Sequence, residues 1–453
     1  MSFKNKIIKV IAEKIVFPGR SLCRCEDGIV LFTEGLLPSE TAEVFVTRDK
    51  KSFREGYVAA IIEKSPDRIE PFCPSFNKCG GCSFEHISYQ NQLSIKELCV
   101  KETLNFTGAD IEPIRPSPTL YNYRGKMEFS FFEKDGCIDL GLHRRGSFNQ
   151  YISVPPCFIS DESFTKAAEI VKTFANSSAL SVYNNKTHSG FFRHLVCRKA
   201  QNNKQGLINI IVNAEGKDIC RIFEPIAKDL ARIFDSVFIT DNSRKSDAVL
   251  CDNLHLLAGA ESIVEKLNVG GRDYLFNISP FSFFQTNSPA AELLYNETLR
   301  MLNPKPSAHL LDLYCGSGAI GISLSCAVEK VVGIEQVKQS VEDACKNAAL
   351  NNVSNIEFIE NTAQEWIKNT KREYFDYIIV DPPRSGLTKD TVAFLINSQA
   401  ERIIYISCNI STLARDLDII IKSGKYAANA ICPVDMFPHT YHIEAAVCLN
   451  RMN

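Results

Sequence analysis

The chain has 453 residues, of which 45% are hydrophobic and 23% charged, and its formal net charge is −2. These values are those of a soluble globular protein, and the length exceeds one ordinary core, so two or three domains are expected. Lys9, Glu13 and Lys14 interrupt the apolar start and no other stretch could span a bilayer, which argues against a signal peptide and a membrane protein. We expect a cytoplasmic location, where the 17 cysteines are thiols or metal ligands rather than disulfides.

Residues 1–66 alternate short β-type runs with glycine and proline turns, as in SLCRCEDGIVLF, ETAEVFVTR and EGYVAAIIEK. Regular short strands of this kind predict a small OB-like β-barrel. The loop TRDKKSFREG surrounds Phe53 with four basic side chains, which are Arg48, Lys50, Lys51 and Arg54. Because the net charge is near zero, a nucleic acid would need such a local basic face, but a solvated hairpin tip explains the loop equally well.

The linker-like SPDRIEPFCP (65–74) leads into residues 67–280, which contain strands such as GKMEFSFF and GLINIIVN. Long helical stretches are few, which indicates a mixed α+β domain. The exception is HISYQNQLSIKELCVKETLNF (86–106), whose apolar spacing predicts a helix.

Four cysteines of this middle region are candidate metal ligands. CPSFNKCGGC has the spacing C-x5-C-x2-C, and VPPCF supplies a candidate fourth, so the set is Cys73, Cys79, Cys82 and Cys157. Four thiolates can hold a zinc ion or an iron–sulfur cluster, and a tight group of three with one distant cysteine fits the cluster better. We expect a structural role for it, and unliganded thiols are the alternative.

From residue 281 to residue 453 strands and helices alternate strictly. Strands are predicted at 309–313, 331–335, 356–360, 375–381 and 402–407. The end differs, because YAANAICPVDMF and HIEAAVCLNR are adjacent strands without a helix between them. This pattern predicts a Rossmann-like α/β domain, a parallel sheet closed by a hairpin.

A glycine-rich turn follows the first of these strands in LLDLYCGSGAIGI. Gly316, Gly318 and Gly321 let the backbone turn tightly and approach a ligand, and Glu335 at the end of the second strand suits two ribose hydroxyls. A dinucleotide and an adenosyl ligand fit these features equally well. Asp312, four residues before the first glycine, and the terminal hairpin favour S-adenosylmethionine.

Two more strands of this sheet end in reactive groups. Asp381 precedes two rigid prolines, and Cys408 lies between a strand and a helix. A helix N-terminus favours the thiolate of a cysteine, so we expect an activated sulfur, with Asn409 and Ser411 capping the helix. A buried, inert cysteine and a simple Asp-Pro-Pro turn are the structural alternatives.

These residues suit methylation of a pyrimidine. Carbon 5 of uracil is too weak a nucleophile to attack a sulfonium methyl group, but addition of the Cys408 thiolate to carbon 6 makes it an enolate carbon. Glu444 at the start of the last strand is the candidate base for the carbon 5 proton. Three aromatic side chains beside Gln285 could stack on a base, although core packing explains at least two of them: Phe281, Phe283 and Phe284.

The motifs SFFQTN, DLYCGSGAIGI, VDPPRSG, ISCN and FPHTYHIEAAVCL occur in the order of a known family. The chain resembles, nearly end to end, the RNA (uracil-5-)methyltransferases, specifically the iron–sulfur 23S rRNA type with an N-terminal TRAM domain. The resemblance implies an RNA partner, with no obligate protein partner indicated, and packing of the helix near 90–110 on the catalytic domain.

The resemblance also implies roles for single residues. Cys408 is the nucleophile and Glu444 the base. The positions for S-adenosylmethionine are Gln285, Tyr314, Gly316, Gly318, Glu335 and Asp381, and those for a [4Fe-4S] cluster are Cys73, Cys79, Cys82 and Cys157. RNA-facing positions are Arg124, Lys126, Arg193 and His194.

Several alternatives stay open at this point. A tRNA substrate fits as well as rRNA except through the resemblance. A 5-methylcytosine RNA methyltransferase would typically have a second cysteine where this chain has Arg384. An amino-methyltransferase would not need Cys408, a dehydrogenase would bind NAD, and an iron–sulfur RNA-binding module would leave the glycine loop without purpose.

Overall fold

The N-terminal strands form a closed barrel in the order β1-β2-β3-β5-β4. The structure, a computed structural model, describes residues 2–153, 156–245, 252–369 and 374–452. The barrel strands are β1 (Ile7–Val16), β2 (Arg20–Cys25), β3 (Val30–Thr33), β4 (Thr41–Asp49) and β5 (Phe53–Glu63). Alternate residues such as Val10, Leu31 and Val44 point inward and are buried, so the predicted barrel is confirmed.

The basic loop of the barrel exposes fewer cations than its sequence indicates. Arg54 is buried and pairs with Asp27 at 2.6 Å and with Asp49 at 3.1 Å. Lys50 and Lys51 remain exposed. Arg54 therefore stabilises the barrel and is not available to a phosphate.

Helix α1 (Tyr89–Leu104) and the short strand β6 (Asp110–Ile111) follow the barrel. Ser88 caps the helix by accepting the N–H of Asn91 at 3.4 Å. The helix lies within the predicted range 86–106.

The middle region is built on a seven-stranded sheet in the order β13-β12-β11-β10-β7-β8-β9. Its strands are β7 (Lys126–Lys134), β8 (Cys137–His143), β9 (Tyr151–Ser153), β10 (Phe192–Lys199), β11 (Gly206–Val212), β12 (Ser236–Asp241) and β13 (Asn253–Gly259). Helices α2 (Glu162–Ser177) and α3 (Ile219–Ala231) pack on the sheet through Phe164, Val171 and Phe223.

Two residues of β10 expected to face RNA are instead buried. Arg193 is 3% exposed, donates to the carbonyls of Asn242 and Arg244 at 2.7 Å, and lies over the Tyr183 ring at 4.1 Å. His194 is 4% exposed and lies 3.4 Å from the Ser130 hydroxyl. Their assignment as RNA-facing positions is wrong, because every residue of β10 except the last is buried on both faces of the sheet.

A hairpin of β14 (Ile263–Val269) and β15 (Arg272–Ile278) leads into the C-terminal region. Although it precedes residue 281, it packs on helices of the C-terminal sheet and shares a hydrophobic core with Leu310 and Ile404.

The C-terminal sheet has eight strands in the order β18-β17-β16-β19-β20-β22-β21-β6. Its further strands are β16 (His309–Leu313), β17 (Lys330–Glu335), β18 (Ile356–Glu360), β19 (Tyr377–Val380), β20 (Arg402–Ser407), β21 (Tyr426–Val434) and β22 (Glu444–Arg451). Its helices are α4 (Ser288–Leu302), α5 (Ala319–Leu324), α6 (Lys338–Leu350), α7 (Ala363–Asn369), α8 (Lys389–Asn397) and α9 (Ile410–Lys422). β16 to β20 are parallel, and β22 runs antiparallel between β20 and β21, so the predicted parallel sheet with a terminal hairpin is confirmed.

Helix α1 and β6 belong to this C-terminal sheet in space. β6 pairs in parallel with β21, and α1 places Cys99, Val100 and Leu104 in the core beneath α9. Within the described ranges, no helix combines the length and apolar character needed to cross a membrane.

Candidate active site

A cavity of about 1070 Å³ opens at the carboxyl ends of the parallel strands. In open α/β sheets ligands bind at this edge. The cavity wall contains eleven of the twelve residues that the sequence proposes for the site, which are Cys73, Cys79, Cys82, Cys157, Gln285, Tyr314, Gly316, Glu335, Asp381, Cys408 and Glu444. The twelfth, Gly318, lies in the loop behind this wall.

The glycine loop after β16 has a conformation that needs its glycines. Gly318 has φ +80°, and a Cβ there would lie 2.7 Å from the Phe358 ring. Gly316 also has positive φ, +54°. The N–H of Gly321 donates to an Asp312 carboxylate oxygen at 3.0 Å, and a Cβ on Gly321 would crowd that oxygen. Asp312 therefore ties the loop to the end of the strand.

Glu335 ends β17 with both carboxylate oxygens fixed by backbone donors. One oxygen accepts the N–H of Gly316 at 3.1 Å, and the other accepts the N–H of Val337 at 2.8 Å. The carboxylate consequently has one orientation beside the glycine loop, as recognition of a ribose diol requires.

Two further carboxyl groups are held in an environment of low polarity. Burial raises the pKa of Asp381 to about 7. Burial also raises the pKa of Asp312 to about 8, and repulsion by Asp381 and Glu335 adds to this rise. Asp381 directly follows β19 and faces the cavity, whereas Asp312 is fully buried behind it.

Cys408 lies between β20 and α9 and is half-buried in the cavity wall. Asn409 caps the helix by accepting the N–H groups of Ser411 and Thr412 at 3.1 and 3.4 Å, so Asn409 alone performs the capping that we expected it to share with Ser411.

The electrostatic environment of Cys408 differs from the expected one. Burial raises the pKa of the thiol to about 11, and the Glu444 and Asp381 carboxylates contribute to the rise. The Arg384 guanidinium opposes it. The structure thus favours a raised and not the expected lowered pKa, because the sulfur is buried and two carboxyl groups share its cavity.

Glu444 begins β22 on the same wall and is 6% exposed. Burial raises its pKa well above the usual value for a glutamate, with a further rise from Asp381 and an opposing effect of Arg384. A thiol, two carboxyl groups and one guanidinium therefore influence one another in a single cavity.

The three candidate stacking residues before α4 have different positions. Phe283 is 64% exposed in the cavity wall beside the glycine loop, where the Ser317 hydroxyl donates to its carbonyl at 3.1 Å. Phe284 is buried against Phe276 with ring centroids 5.6 Å apart. Phe281 is half-buried and outside the wall, so Phe283 has the ring face that a ligand could reach.

The four candidate metal-binding cysteines all lie in the wall of this cavity. Burial raises the pKa of Cys73 and of Cys79, and the charge of Cys157 contributes to both rises. The N–H of Gly81 donates to the Cys79 sulfur at 3.4 Å. The sulfurs are thus close enough to repel one another as thiolates, which a bound cationic group would relieve.

A second group of potential ligands is better explained as an ion-pair network. Glu112, Glu297 and Cys432 bring their ligand atoms within 4.8 Å of one another. Arg115 and Arg300 each bond to both glutamates at 2.5 to 2.8 Å. These guanidinium groups neutralise the carboxylates that a metal ion would need.

From the sequence, Arg384 was noted only as a position where a cysteine is absent. Its effect, which is to lower the pKa of Cys408, was missed. Also missed was Arg145, whose guanidinium donates to the carbonyl of Cys82 and pairs with Glu34 of the barrel at 3.2 Å. Neither residue has a local signal, because both act through contacts distant in sequence.

The sheet order, the antiparallel strand β22 and the glycine loop followed by Glu335 define a methyltransferase fold. The family model described as tRNA (Uracil-5-)-methyltransferase matches residues 251–452. An uncharacterized RNA methyltransferase of Caldanaerobacter subterraneus is 38% identical over 99% of both chains, and one of Clostridium tetani is 35% identical over 99% of this chain and 98% of its own.

Among solved structures, Pyrococcus abyssi tRNA (uracil-54, C5)-methyltransferase in complex with S-adenosyl-L-homocysteine superposes with a TM-score of 0.76. The identity is 27%, and the match covers 98% of this chain and 99% of that one. The chain therefore belongs to the RNA (uracil-5-)methyltransferase family, as its motifs indicate.

Proposed function

We propose that this protein transfers a methyl group from S-adenosylmethionine to carbon 5 of a uridine in RNA through a covalent bond between Cys408 and carbon 6. The observation that supports this most is the placement of Cys408, Glu444 and Asp381 in the same cavity as the glycine loop and Glu335. A thiol and a base then face the position where a methyl donor would lie.

The methyl donor would lie against the residues around the glycine loop. Glu335 would accept the ribose hydroxyls, Gly316 permits close approach, and Phe283 would cover the adenosyl moiety. Gln285, Tyr314, Gly318 and Asp381 complete the proposed set. The product of methyl transfer in the Pyrococcus abyssi complex supports the same cofactor here.

The proposed reaction uses Cys408 first and Glu444 afterwards. The Cys408 thiol gives its proton to solvent, and the thiolate bonds to carbon 6 as the electron pair of the ring double bond moves towards the carbon 4 carbonyl, which makes carbon 5 nucleophilic. Carbon 5 takes the methyl group as the donor sulfur keeps the electron pair. Glu444 then removes the carbon 5 proton and the bond from sulfur to carbon 6 breaks. Burial of Glu444 makes its carboxylate a stronger base once ionised.

Two substitutions test this route. Cys408→Ala is expected to abolish methylation of RNA while S-adenosylmethionine binding, measured by calorimetry, is retained. Glu444→Gln is expected to accumulate a protein–RNA adduct on a denaturing gel, because the carbon 5 proton stays in place. Cys345→Ala, at an exposed cysteine of α6, is the matched control with normal turnover. Normal turnover of Cys408→Ala would contradict the covalent route.

For the RNA target we propose 23S rRNA, on the basis of the resemblance to the iron–sulfur type, with the barrel as a TRAM-type RNA-binding domain. A tRNA is the second candidate, favoured by the match to the Pyrococcus abyssi tRNA enzyme. Mapping 5-methyluridine in the rRNA and tRNA of a strain lacking the gene decides between them, since only the true target loses its methyl group.

We also propose that Cys73, Cys79, Cys82 and Cys157 hold a [4Fe-4S] cluster that fixes the loop around them. The donor set fits, because four thiols line the same cavity, and the charge of Cys157 adds to the rise that burial causes in the pKa of Cys73 and of Cys79. Anaerobically purified protein is expected to contain four iron atoms per chain, and Cys82→Ser to lose them. Cys137→Ser, at an exposed cysteine of the same region, is the control. Stoichiometric zinc would overturn the assignment.

A further inference from the structure

The wall of the catalytic cavity contains a tyrosine that has no part in the steps proposed above. Tyr295 extends from helix α4 into this wall, and only 3% of the residue is exposed. Helix α4 packs against β20 and β22 and also against α5, the helix that follows Gly318. Tyr295 is therefore held between the strands that carry Cys408 and Glu444 and the helix that begins at the glycine loop.

The Tyr295 hydroxyl is open to the cavity and has no partner in the protein. Among the described residues, no group donates a hydrogen bond to it or accepts one from it. The hydroxyl oxygen is not sealed from solvent, unlike that of Tyr274, another buried tyrosine of the same hydrophobic core. The polar end of a buried tyrosine usually has a hydrogen-bond partner, so this hydroxyl points to a ligand that enters the cavity.

Three carboxyl groups locate this hydroxyl along the sheet edge. Burial raises the pKa of Tyr295, and the charges of Asp381, Asp312 and Glu444 raise it further. The three acids belong to β19, β16 and β22, in a sheet where the order is β16-β19-β20-β22. The hydroxyl thus lies between the glycine loop and Glu444, where the donor's methyl group must pass to reach a base at Cys408.

The raised pKa keeps Tyr295 a neutral phenol, which offers oxygen lone pairs to a ligand. The hydroxyl proton rotates about the C–O bond, and its acidic neighbours attract it, so the lone pairs stay available to the cavity. Of the two proposed substrates, S-adenosylmethionine has a positive charge at the sulfur that bears the methyl group, whereas uracil has none. In a cavity of low polarity, an oriented dipole attracts such a charge strongly.

We propose that the Tyr295 hydroxyl oxygen contacts the sulfonium group of S-adenosylmethionine and so selects the methyl donor over its product, S-adenosylhomocysteine. The two molecules share their adenosyl and amino-acid parts and differ only in the methyl group and the positive charge on sulfur. Loss of that charge on methyl transfer removes the attraction and favours release of the product. This inference rests on the proposed function and adds to it a residue that recognises the donor.

The test compares the affinities of the two ligands for the variant Tyr295→Phe, measured by calorimetry without RNA. The dissociation constant for S-adenosylmethionine is expected to rise about tenfold, and that for S-adenosylhomocysteine to change by less than about twofold. The KM for S-adenosylmethionine should rise with the first of these constants while kcat at saturating donor stays nearly unchanged. Because the ring is retained and the hydroxyl has no partner in the protein, the free energy of unfolding without ligand should stay at the wild-type value.

Tyr274→Phe is the matched control, since it removes the hydroxyl of a buried tyrosine on β15 that lies outside the cavity wall. Both dissociation constants should then keep their wild-type values. If Tyr295→Phe weakens S-adenosylhomocysteine at least as much as S-adenosylmethionine, or weakens neither ligand, the proposal is overturned. A wild-type protein that binds neither ligand would instead refute the proposed function.

Discussion

The raised pKa of Cys408 keeps its side chain a protonated thiol at neutral pH. A thiol with a pKa of about 11 is ionised in roughly one molecule in 10,000 at pH 7. Such a sulfur is expected to react slowly with alkylating agents at neutral pH, because the thiolate is the reactive form. Among the described residues, Arg384 is the cationic side chain that lowers this pKa.

This state predicts a specific pH dependence of alkylation. The rate at which iodoacetamide modifies Cys408 is expected to rise about tenfold per pH unit from pH 7 to 9.5 without a plateau, because the thiolate fraction rises by that factor. Arg384→Gln removes the opposing cation and should lower the rate several-fold at every pH. Mass spectrometry of the Cys408 peptide separates this cysteine from the other sixteen.

Lys389→Gln is the matched control, since it removes an exposed cation at the start of α8 that is not among the main causes of the Cys408 pKa shift. Its alkylation profile should match that of the wild type. A plateau below pH 9 in the wild type would mean that the thiol is activated in the resting protein.

Helix α1 is the element that joins the middle region to the catalytic residues. Lys96 is 1% exposed and bonds to the Asp435 carboxylate at 2.6 Å. Gln92 accepts the backbone N–H of His439 at 2.8 Å, and its amide lies 3.2 Å from the Nδ1 of that ring. Both contacts are made to the segment just before Glu444, so the helix fixes the approach to the proposed base.

Breaking the buried ion pair should be far more costly than breaking the exposed pair that joins the same helix to barrel strand β1. Lys96→Met leaves the Asp435 carboxylate buried without its cation, so the free energy of unfolding is expected to fall by about 3–5 kcal/mol. Lys14→Met breaks the exposed Lys14–Glu102 pair and should lower it by less than about 1 kcal/mol. Urea unfolding followed by the fluorescence of the single tryptophan, Trp366, measures both. Equal losses would show that Lys96–Asp435 behaves as a surface pair.

The limits of prediction from sequence are clearest at these elements. Runs such as HLLDL and RIIYIS predicted β16 and β20 at their observed bounds, because strands buried on both faces are continuously apolar. The same runs placed Asp381 and Cys408 at one sheet edge. Lys96, by contrast, looks like a surface lysine, because its partner lies 339 residues away. The direction of the Cys408 pKa shift was also missed from sequence, since it results from burial and from the Glu444 carboxylate across the cavity.

At the scale of the molecule, the three regions meet at one segment, residues 435–443. The cysteine loop contacts it through the N–H groups of Ser83 and Phe84, which donate to the His439 carbonyl at 2.9 Å. The middle region contributes the Tyr123 hydroxyl, which donates to the Pro438 carbonyl at 2.9 Å. The barrel approaches it through Gly19. All three regions therefore pack on the segment that leads into the strand that begins with Glu444.

Gly19 offers a sensitive test of how the barrel docks on the rest of the molecule. Its φ is +74°, and a Cβ there would lie 2.6 Å from the Cβ of Tyr441. Gly28 has a similar φ of +81°, but a Cβ there would meet nothing within 4 Å. Alanine at either position bears the same backbone cost of about 1 kcal/mol, so any further effect of Gly19→Ala comes from the contact with Tyr441.

Gly19→Ala is accordingly expected to loosen the barrel, to speed proteolysis of the linker at residues 64–72 and to raise the KM for RNA several-fold. Gly28→Ala should leave the proteolysis pattern and KM unchanged. The dissociation constant for S-adenosylmethionine should stay at the wild-type value in both variants. Glu335 and the glycine loop lie at the ends of β17 and β16, which are separated by β19 and β20 from β22, the strand after Tyr441. If the two variants behave alike, the barrel is held by its linker rather than by this contact, and RNA binding does not depend on its fixed position.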